Sequence, residues 1–564
     1  MDGELRNRLA SWFGVVLTIA VTVVSAIPLG RHLWLVFSHQ PQPRWDRLLK
    51  PVENGLLRWI GDRGEPARNA WGYAGPLLLS NLVFAGVAFL LLVSQPAFLN
   101  PQGLPGMRWD TALHTAISFV TNTDQQHYLP EQSLGAGVQL GALQFLMYVS
   151  AATGLALGFA VVRGISGTTI GNFYEDLIRS LTRVLIPGSL LIGIALLLTG
   201  VPMTLAPPLN VQTLDGGTQW LMRGPIALFE AIKQFGDNGG GYLAANSAHP
   251  YENPSAFTNL LSIWAMLAIP AASVDAFGRF IGNRRQSLWL LGLVTLFLCS
   301  GVLVSGLSEQ LGNPLLLPWI NGPSLEGKEL RFGAVLSSLW AVVTTGSMTG
   351  ATNSALDSLM PGSNLITLFN LFLQLVFGGV GTGIAYLLAF LVLTVFITGL
   401  MVGRTPELFG RKLEQREVVC SSLVLLAHPV FVLVPAAITL AGGVELAGTT
   451  NPGPHGILQV VYEYASATAN NGSGMAGLMN TSLWWNLTAS VSLLGGRYLP
   501  ILALLVLADG LSKKVAVPTG SGSLRTDTGL FTAVSGVVFL IVGGLSFFPV
   551  LALGPLAEWL ALVS

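Results

Sequence analysis

The chain is poor in charge. Of its 564 residues, 28 are Lys or Arg and 28 are Asp or Glu, so charged residues make up 10 % and the net charge is zero. A soluble globular chain carries about 25 %, and this composition excludes one. No basic excess or basic run marks a nucleic-acid partner. Cysteine is nearly absent. Cys299 and Cys420 each lie at the edge of an apolar run and read as packed thiols, which excludes a disulfide or cysteine-metal framework. Neither a Gly-x-x-x-x-Gly-Lys-Ser/Thr phosphate loop nor an Asp-Lys-Thr-Gly phosphorylation motif occurs, so any ATP chemistry belongs to another chain. The apolar runs hold no His/Cys/Asp cluster and no nucleophile–base pair, which argues against an intramembrane enzyme. The Thr-Val-Gly-Tyr-Gly run of simple potassium channels is missing as well.

Apolar residues abound, at 51 %, and the mean hydropathy is +0.62. The expected fold is all-α and polytopic, with ten full spans near 11–36, 75–95, 135–162, 183–202, 256–278, 287–308, 365–400, 418–442, 482–508 and 528–550. Each is long enough to cross about 30 Å of hydrocarbon. Basic residues set the orientation. The connections 31–68, 163–183, 279–285, 404–416 and 513–525 carry 7, 3, 3, 4 and 3 of them, against 7 on the alternate side. Positive charge stays inside, so both termini are expected on the external face. Arg6 and Arg8 ahead of an apolar run and Val24-Ser25-Ala26 resemble a cleaved signal peptide. The seven basic residues after that run favour an uncleaved first helix instead.

Four shorter segments, near 110–121, 224–235, 332–345 and 455–468, are too short or too polar to span. Each precedes a loop rich in Gly, Asn or Thr, and the loops recur about every 115 residues. They read Thr121-Asn122-Thr123-Asp124-Gln125-Gln126, Gly236-Asp237-Asn238-Gly239-Gly240-Gly241, Thr344 to Asn353, and Ala469-Asn470-Asn471-Gly472-Ser473-Gly474. Subtracting a first helix (1–36) and a last (526–564) leaves four units, at 70–165, 180–280, 285–403 and 416–512. Each reads as helix, pore segment, loop, helix, the pattern of one ion filter built on a central axis. The alternative is four ordinary external loops, where Gly and Asn are common anyway.

A dehydrated monovalent cation needs several oxygens in place of water, and backbone carbonyls supply them without net charge. Aiming successive carbonyls at one axis takes unusual φ values, which Gly adopts cheaply and Asn tolerates. Gly239, Gly240, Gly350, Gly472, Asn238, Asn353, Asn470 and Asn471 fit that need. Asp124 and Asp237 are either cation-concentrating carboxylates or ordinary hydrogen-bonded acids. Half-helices ending at the loops would turn their partly negative ends toward a cation.

The second loop and its sequel, Asn246-Ser247-Ala248-His249-Pro250-Tyr251-Glu252-Asn253-Pro254, resemble the KdpA family. These are the potassium-binding, channel-like subunits of bacterial Kdp potassium-transporting ATPases. The resemblance continues in Ser118–Thr123, Val376–Gly381, Gly403–Glu407, Asn451–Gly456, Ala469–Ser473 and Ala552–Glu558, essentially the whole length. It implies a bacterial inner-membrane protein of the potassium transporter superfamily with no cofactor of its own. It also implies potassium as the transported ion, and a filter that adds Thr121, Asn122, Thr123, Gln126 and Thr349 to the residues above. The implied partners are a P-type ATPase subunit (KdpB-like), small single-span subunits (KdpC-like and KdpF-like) and membrane lipid. In that family potassium enters from outside and leaves sideways through an intersubunit tunnel. A stand-alone channel or ion-coupled symporter of the same fold is the competing reading. The chain departs from the family pattern at Asp124 and Gln125, where Asn-Trp is usual, and at Met348-Thr349, where Ser-Cys is usual. Gln374 replaces an acid.

Three further features stand outside the loops. Arg497 lies within a span, where a charge costs at least about 2.5 kcal/mol; it either faces a passing ion or snorkels at a helix end. Gly378, Gly379 and Gly381 interrupt the 365–400 run, as a constriction under the filter or as a close helix contact. Arg404 and Glu407, beside Pro406, serve a subunit contact or cap a helix. His249, followed by Pro250, reads as part of a structural turn rather than a metal ligand.

Overall fold

The computed structural model describes residues 2–206, 208–316, 322–516 and 525–563. Positions 517–524 of the basic connection 513–525 lie outside the described residues. Among the described residues, ten helices are long and apolar enough to cross a membrane. They are arranged as four helix–pore segment–loop–helix units between a first and a last helix. The pore segments are the short helices Trp109–Val120, Ile226–Phe235, Gly333–Gly346 and Gly453–Ala469. Twelve residues make about 18 Å of helix, little more than half a bilayer core, so the first must enter and turn back.

Composition sorts the spans into inner and outer. The windows of Ala136–Ser166 and Ala256–Phe280 are 89 % and 83 % buried within the chain, against 28 % for Ala70–Ser94 and Gly529–Val563. The inner helices owe this to small residues. Ala151, Ala152, Gly154, Ala156, Gly158 and Ala160 run along one of them and let neighbouring backbone approach. Irregular backbone at membrane depth is tolerated only inside such a wrapping.

Three expectations need correction. The fourth span is Phe173–Leu198, beginning ten residues before the expected 183. Arg179 and Arg183 do not end it, because their charges are taken up: Arg183 binds Glu53 and Asp46 at 2.6 and 2.8 Å, and Arg179 binds Glu175 at 2.9 Å. Both carboxylates that hold Arg183 belong to the second correction. The stretch read as a basic connection contains the helix Pro43–Ile60, with Glu53 facing Arg183 and with Trp45, Leu48, Val52, Leu56 and Trp59 exposed along another face. Third, the run 365–400 is not one span. It divides into Pro361–Leu373 and Thr382–Val402. Between them Gln374, Phe377, Gly378 and Gly381 all take positive φ, which breaks the helix well ahead of the glycines. Gly381 makes the close helix contact. Its φ is +71°, and an added Cβ would run into the carbonyl of Gly154 on an inner helix.

Candidate ion-binding site

All four pore helices end in the same way. The chain enters the left-handed region at Asn122, Asp237, Met348 and Asn470, with φ of 61°, 48°, 55° and 55°. Two residues later it does so again, at Asp124, Gly239, Gly350 and Gly472, with φ of 56°, 99°, 91° and 95°. This alternation turns successive carbonyls toward one side, where a strand would send them to opposite sides. It also fixes the register between loops. Thr123, Asn238, Thr349 and Asn471 are equivalent, and Asp124 occupies the place that glycine holds in the other three.

Glycine is required there by contact as well as by φ. A Cβ on Gly239 would collide with the carbonyl oxygen of Thr349, one on Gly350 with that of Asn471, and one on Gly472 with that of Thr123. Loop two therefore abuts loop three, loop three abuts loop four, and loop four abuts loop one. The circle closes where Asp124 packs on Gly240, with 2.8 Å between its Cβ and the position a Gly240 Cβ would take.

Side chains fasten every joint of this ring. The Asn122 amide donates to the Asp237 carbonyl at 2.6 Å, and Thr349 Oγ1 donates to Asp237 Oδ1 at 2.9 Å. The Asn471 amide donates to the Thr344 carbonyl at 2.8 Å, and that of Asn470 to Thr123 Oγ1 at 3.0 Å. Loops one and three, opposite each other, also carry matched hydroxyl pairs, Thr121–Thr123 at 2.9 Å and Ser347–Thr349 at 2.7 Å.

The ring separates two spaces. On one side lies a cavity of about 700 Å³ whose wall includes Asp124, Gln126, Gly239, Gly350 and Gly472. On the other lies one of about 20 Å³ against Asn122, Met348, Asn470, Gln374, Gly379 and Arg497. The second has room for about one water, too little for a hydrated ion. Gln374 and Tyr386 also line a further cavity of about 20 Å³ to the side, where Gln374 Nε2 meets His428 Nδ1 at 2.7 Å. Arg497 is 6 % exposed; its Nη2 donates to the Ser150 carbonyl at 3.4 Å, and Nε has no partner among the described residues.

The remaining candidates fall elsewhere. Asn353 is set back from the mouth, its amide bound to Asn259 Oδ1 at 2.9 Å. Gln126 clamps loop two, donating to the Gly241 carbonyl at 3.2 Å and accepting from the Gly241 N–H at 2.9 Å. Gly378 and Gly379 lie in the break between Leu373 and Thr382. Arg404 is exposed after the end of the helix at Val402, and Glu407 is half-buried in the short strand Glu407–Leu408, which pairs with Arg411–Lys412. His249 accepts from the N–H of Tyr251 at 3.0 Å, and no group of three metal-ligating side chains occurs among the described residues.

Sequence reasoning passed over a polar scaffold behind the ring. Glu463 of the fourth pore helix receives Gln125 Nε2 at 2.7 Å and contacts His127 Nε2 at 3.0 Å. His127 stacks on His114 at 3.9 Å and meets Asn486, which donates to Asp110. Glu230 of the second pore helix binds Lys233 at 2.9 Å, which also reaches Glu252 at 2.6 Å. The signal was present. Glu230 and Glu463 each stand six residues before the loop starts at Gly236 and Ala469, the one acid in each half-helix.

Four pore loops closed into one ring inside a ten-span bundle define a polytopic membrane protein of the pore-loop type. The fold is similar to that of the potassium transporter TrkH from Vibrio parahaemolyticus, with a TM-score of 0.55, covering 88 % of this chain and 97 % of that one at 17 % identity. The family model described as "KdpA: Potassium-transporting ATPase A subunit" matches residues 16–560, and the chain belongs to this family. Among its relatives, the potassium-transporting ATPase potassium-binding subunit of Synechocystis is 52 % identical, over 98 % of this chain and all of the relative. That of Alicyclobacillus acidocaldarius is 43 % identical, again over 98 % of this chain and all of the relative.

Proposed function

We propose that this chain selects potassium at the ring and passes it to an ATP-hydrolysing partner subunit, itself doing no ATP chemistry. The observation that carries this reading is the closed circle of loops between a wide cavity and a narrow one. The carbonyls of Thr123, Asn238, Thr349 and Asn471, one from each loop, are the ring's ligands for a dehydrated potassium ion. The hydroxyls of Thr121 and Ser347 brace loops one and three behind them. Four pore helices end at the ring and contribute the partly negative ends of their dipoles. Asn122 and Asn470 hold the neighbouring loops at a fixed spacing, which sets the size of the hole.

Transfer beyond the ring is sideways. Straight passage meets Arg497, whose charge repels a cation, and the unwound segment with Gly378, Gly379 and Gly381. Gln374 and Tyr386 line both the inner cavity and the lateral one, and so mark the turn in the path. In this reading the wide cavity and both termini face outward across a bacterial plasma membrane, with small single-span subunits completing the complex. Arg404 and Glu407 lie on the opposite, cytoplasmic side, where the reading assigns them to a subunit contact.

Isolation in mild detergent tests the reading. A large ATPase should accompany the chain, and proteoliposomes should take up ⁸⁶Rb⁺ only with ATP. A chain that purifies alone and conducts or co-transports potassium without ATP overturns it in favour of a stand-alone channel or symporter.

A further inference from the structure

The two acids of the loops look alike in sequence but not in space. Asp237 is buried in the joint between loops two and three, where its Oδ1 accepts from Thr349. Asp124 lines the wide cavity, is only 2 % exposed, and has no hydrogen-bond partner for either carboxylate oxygen among the described residues. The backbone N–H of Gly240 acts on it too loosely to count as a bond, and the Lys233 ammonium acts from farther away. That ammonium is itself held by Glu230 and Glu252. The other charges on the cavity wall are already compensated. Lys328 pairs with Glu309 at 2.9 Å, and Glu329 pairs with Arg331 at 3.1 Å. One carboxyl group on this wall, beside the ring, is thus left without a partner among the described residues.

Leaving a buried carboxylate without a partner is expensive, and a mobile cation offsets that cost where no protein donor does. We propose that Asp124 forms an outer cation site, one step before the carbonyl ring, that pairs with a monovalent ion as it sheds water. The proposal rests on the reading of the ring as a potassium filter and adds a specificity to it. A carboxylate oxygen exerts a stronger field than a carbonyl, and a strong field favours the smaller ion. The Asp124 site therefore captures cations at low concentration but discriminates against sodium less well than a ring of four neutral loops. It stands where the equivalent residues are Gly239, Gly350 and Gly472, which have no side chain to offer an ion.

The register supplies the variants. Asp124→Asn removes the charge at nearly constant shape, and Asn tolerates the left-handed φ. Asp124→Gly makes all four positions identical, and glycine adopts that φ freely. The purified complex is titrated with ⁸⁶Rb⁺ alone and in competition with NaCl, with ionic strength held constant by a large organic cation. Both variants should bind ⁸⁶Rb⁺ about 10-fold more weakly, and the excess of sodium needed to displace half the label should rise several-fold. Unchanged affinity and unchanged sodium competition in both variants overturn the outer site while leaving the filter reading intact. Wild-type complex that binds no ⁸⁶Rb⁺ overturns the filter reading itself.

Discussion

At the scale of single residues, three of the four equivalent ring positions, Gly239, Gly350 and Gly472, leave no room for a side chain. Gly472 faces the Thr123 carbonyl with no room for a methyl group. Gly472→Ala should abolish ⁸⁶Rb⁺ binding while the complex still assembles, because the clash lies at a loop and not in a span; binding and size-exclusion profiles check this together. Asn470 is a milder case. One net hydrogen bond is worth about 1 kcal/mol, so Asn470→Ala, which frees Thr123 Oγ1, should weaken binding by about 5-fold. The residue types of the loops could be read from the sequence, because Gly and Asn in that density have few other uses in an apolar chain. Their pairings could not. Asn122 and Asp237 are 115 positions apart and join only when two units pack side by side. Asn353 had the right residue type in the right loop, yet its amide is committed to Asn259.

At the scale of elements, hydropathy located the ten spans but not all of their ends. A window of apolar residues is blind to paired charge, so Arg179 and Arg183 read as a boundary when Glu175, Glu53 and Asp46 had made them part of a helix. The helix Pro43–Ile60 was not drawn from the sequence, where the stretch 31–68 reads only as a connection carrying seven basic residues. The outer end of the fourth pore helix carries a pH-sensitive joint. His455 Nδ1 meets Glu558 at 2.8 Å and Nε2 meets Asp357 at 3.2 Å, tying this helix to the C-terminal segment and to the end of loop three. Burial pushes the imidazole down, but the hydrogen bonds and charges of Asp357 and Glu558 outweigh it and lift the pKa to about 9. A raised folded value stabilises fully below the unfolded pKa of about 6.5 and is lost as pH rises through about 9. Thermal unfolding in detergent should therefore show a lower Tm at pH 10 than at pH 6, and His455→Gln should remove most of that difference.

At the scale of the whole molecule, the arrangement separates selection from passage. In the proposed reading the wide cavity and the ring select, while Arg497 and the broken third-unit helix stand on the far side of the ring. If Arg497 bars straight passage, Arg497→Met should let ⁸⁶Rb⁺ leak into proteoliposomes without ATP, several-fold faster than wild type. Methionine is shorter and vacates the space where Nη2 lies beside Gly154, so Arg497→Lys, which is also shorter but keeps the charge, is the control and should stay closed. The fourfold plan was legible because the half-helices and loops recur at near-constant spacing. The central axis was legible from the same repeat, but the side-chain joints between loops were not, since they connect positions far apart in the chain.

The closed circle also bears on how the molecule is made. Loop one is synthesised first and loop four last, yet Asn470 reaches back 347 positions to Thr123, and Gly472 packs against that same residue. Until the fourth unit leaves the ribosome and enters the bilayer, the first loop lacks its closing neighbour, and its polar backbone has to wait in a partly open mouth. Closure of the ring is therefore among the last events in the making of a new chain, and a chain cut short before Ala469 would lack the closing loop together with the last two spans.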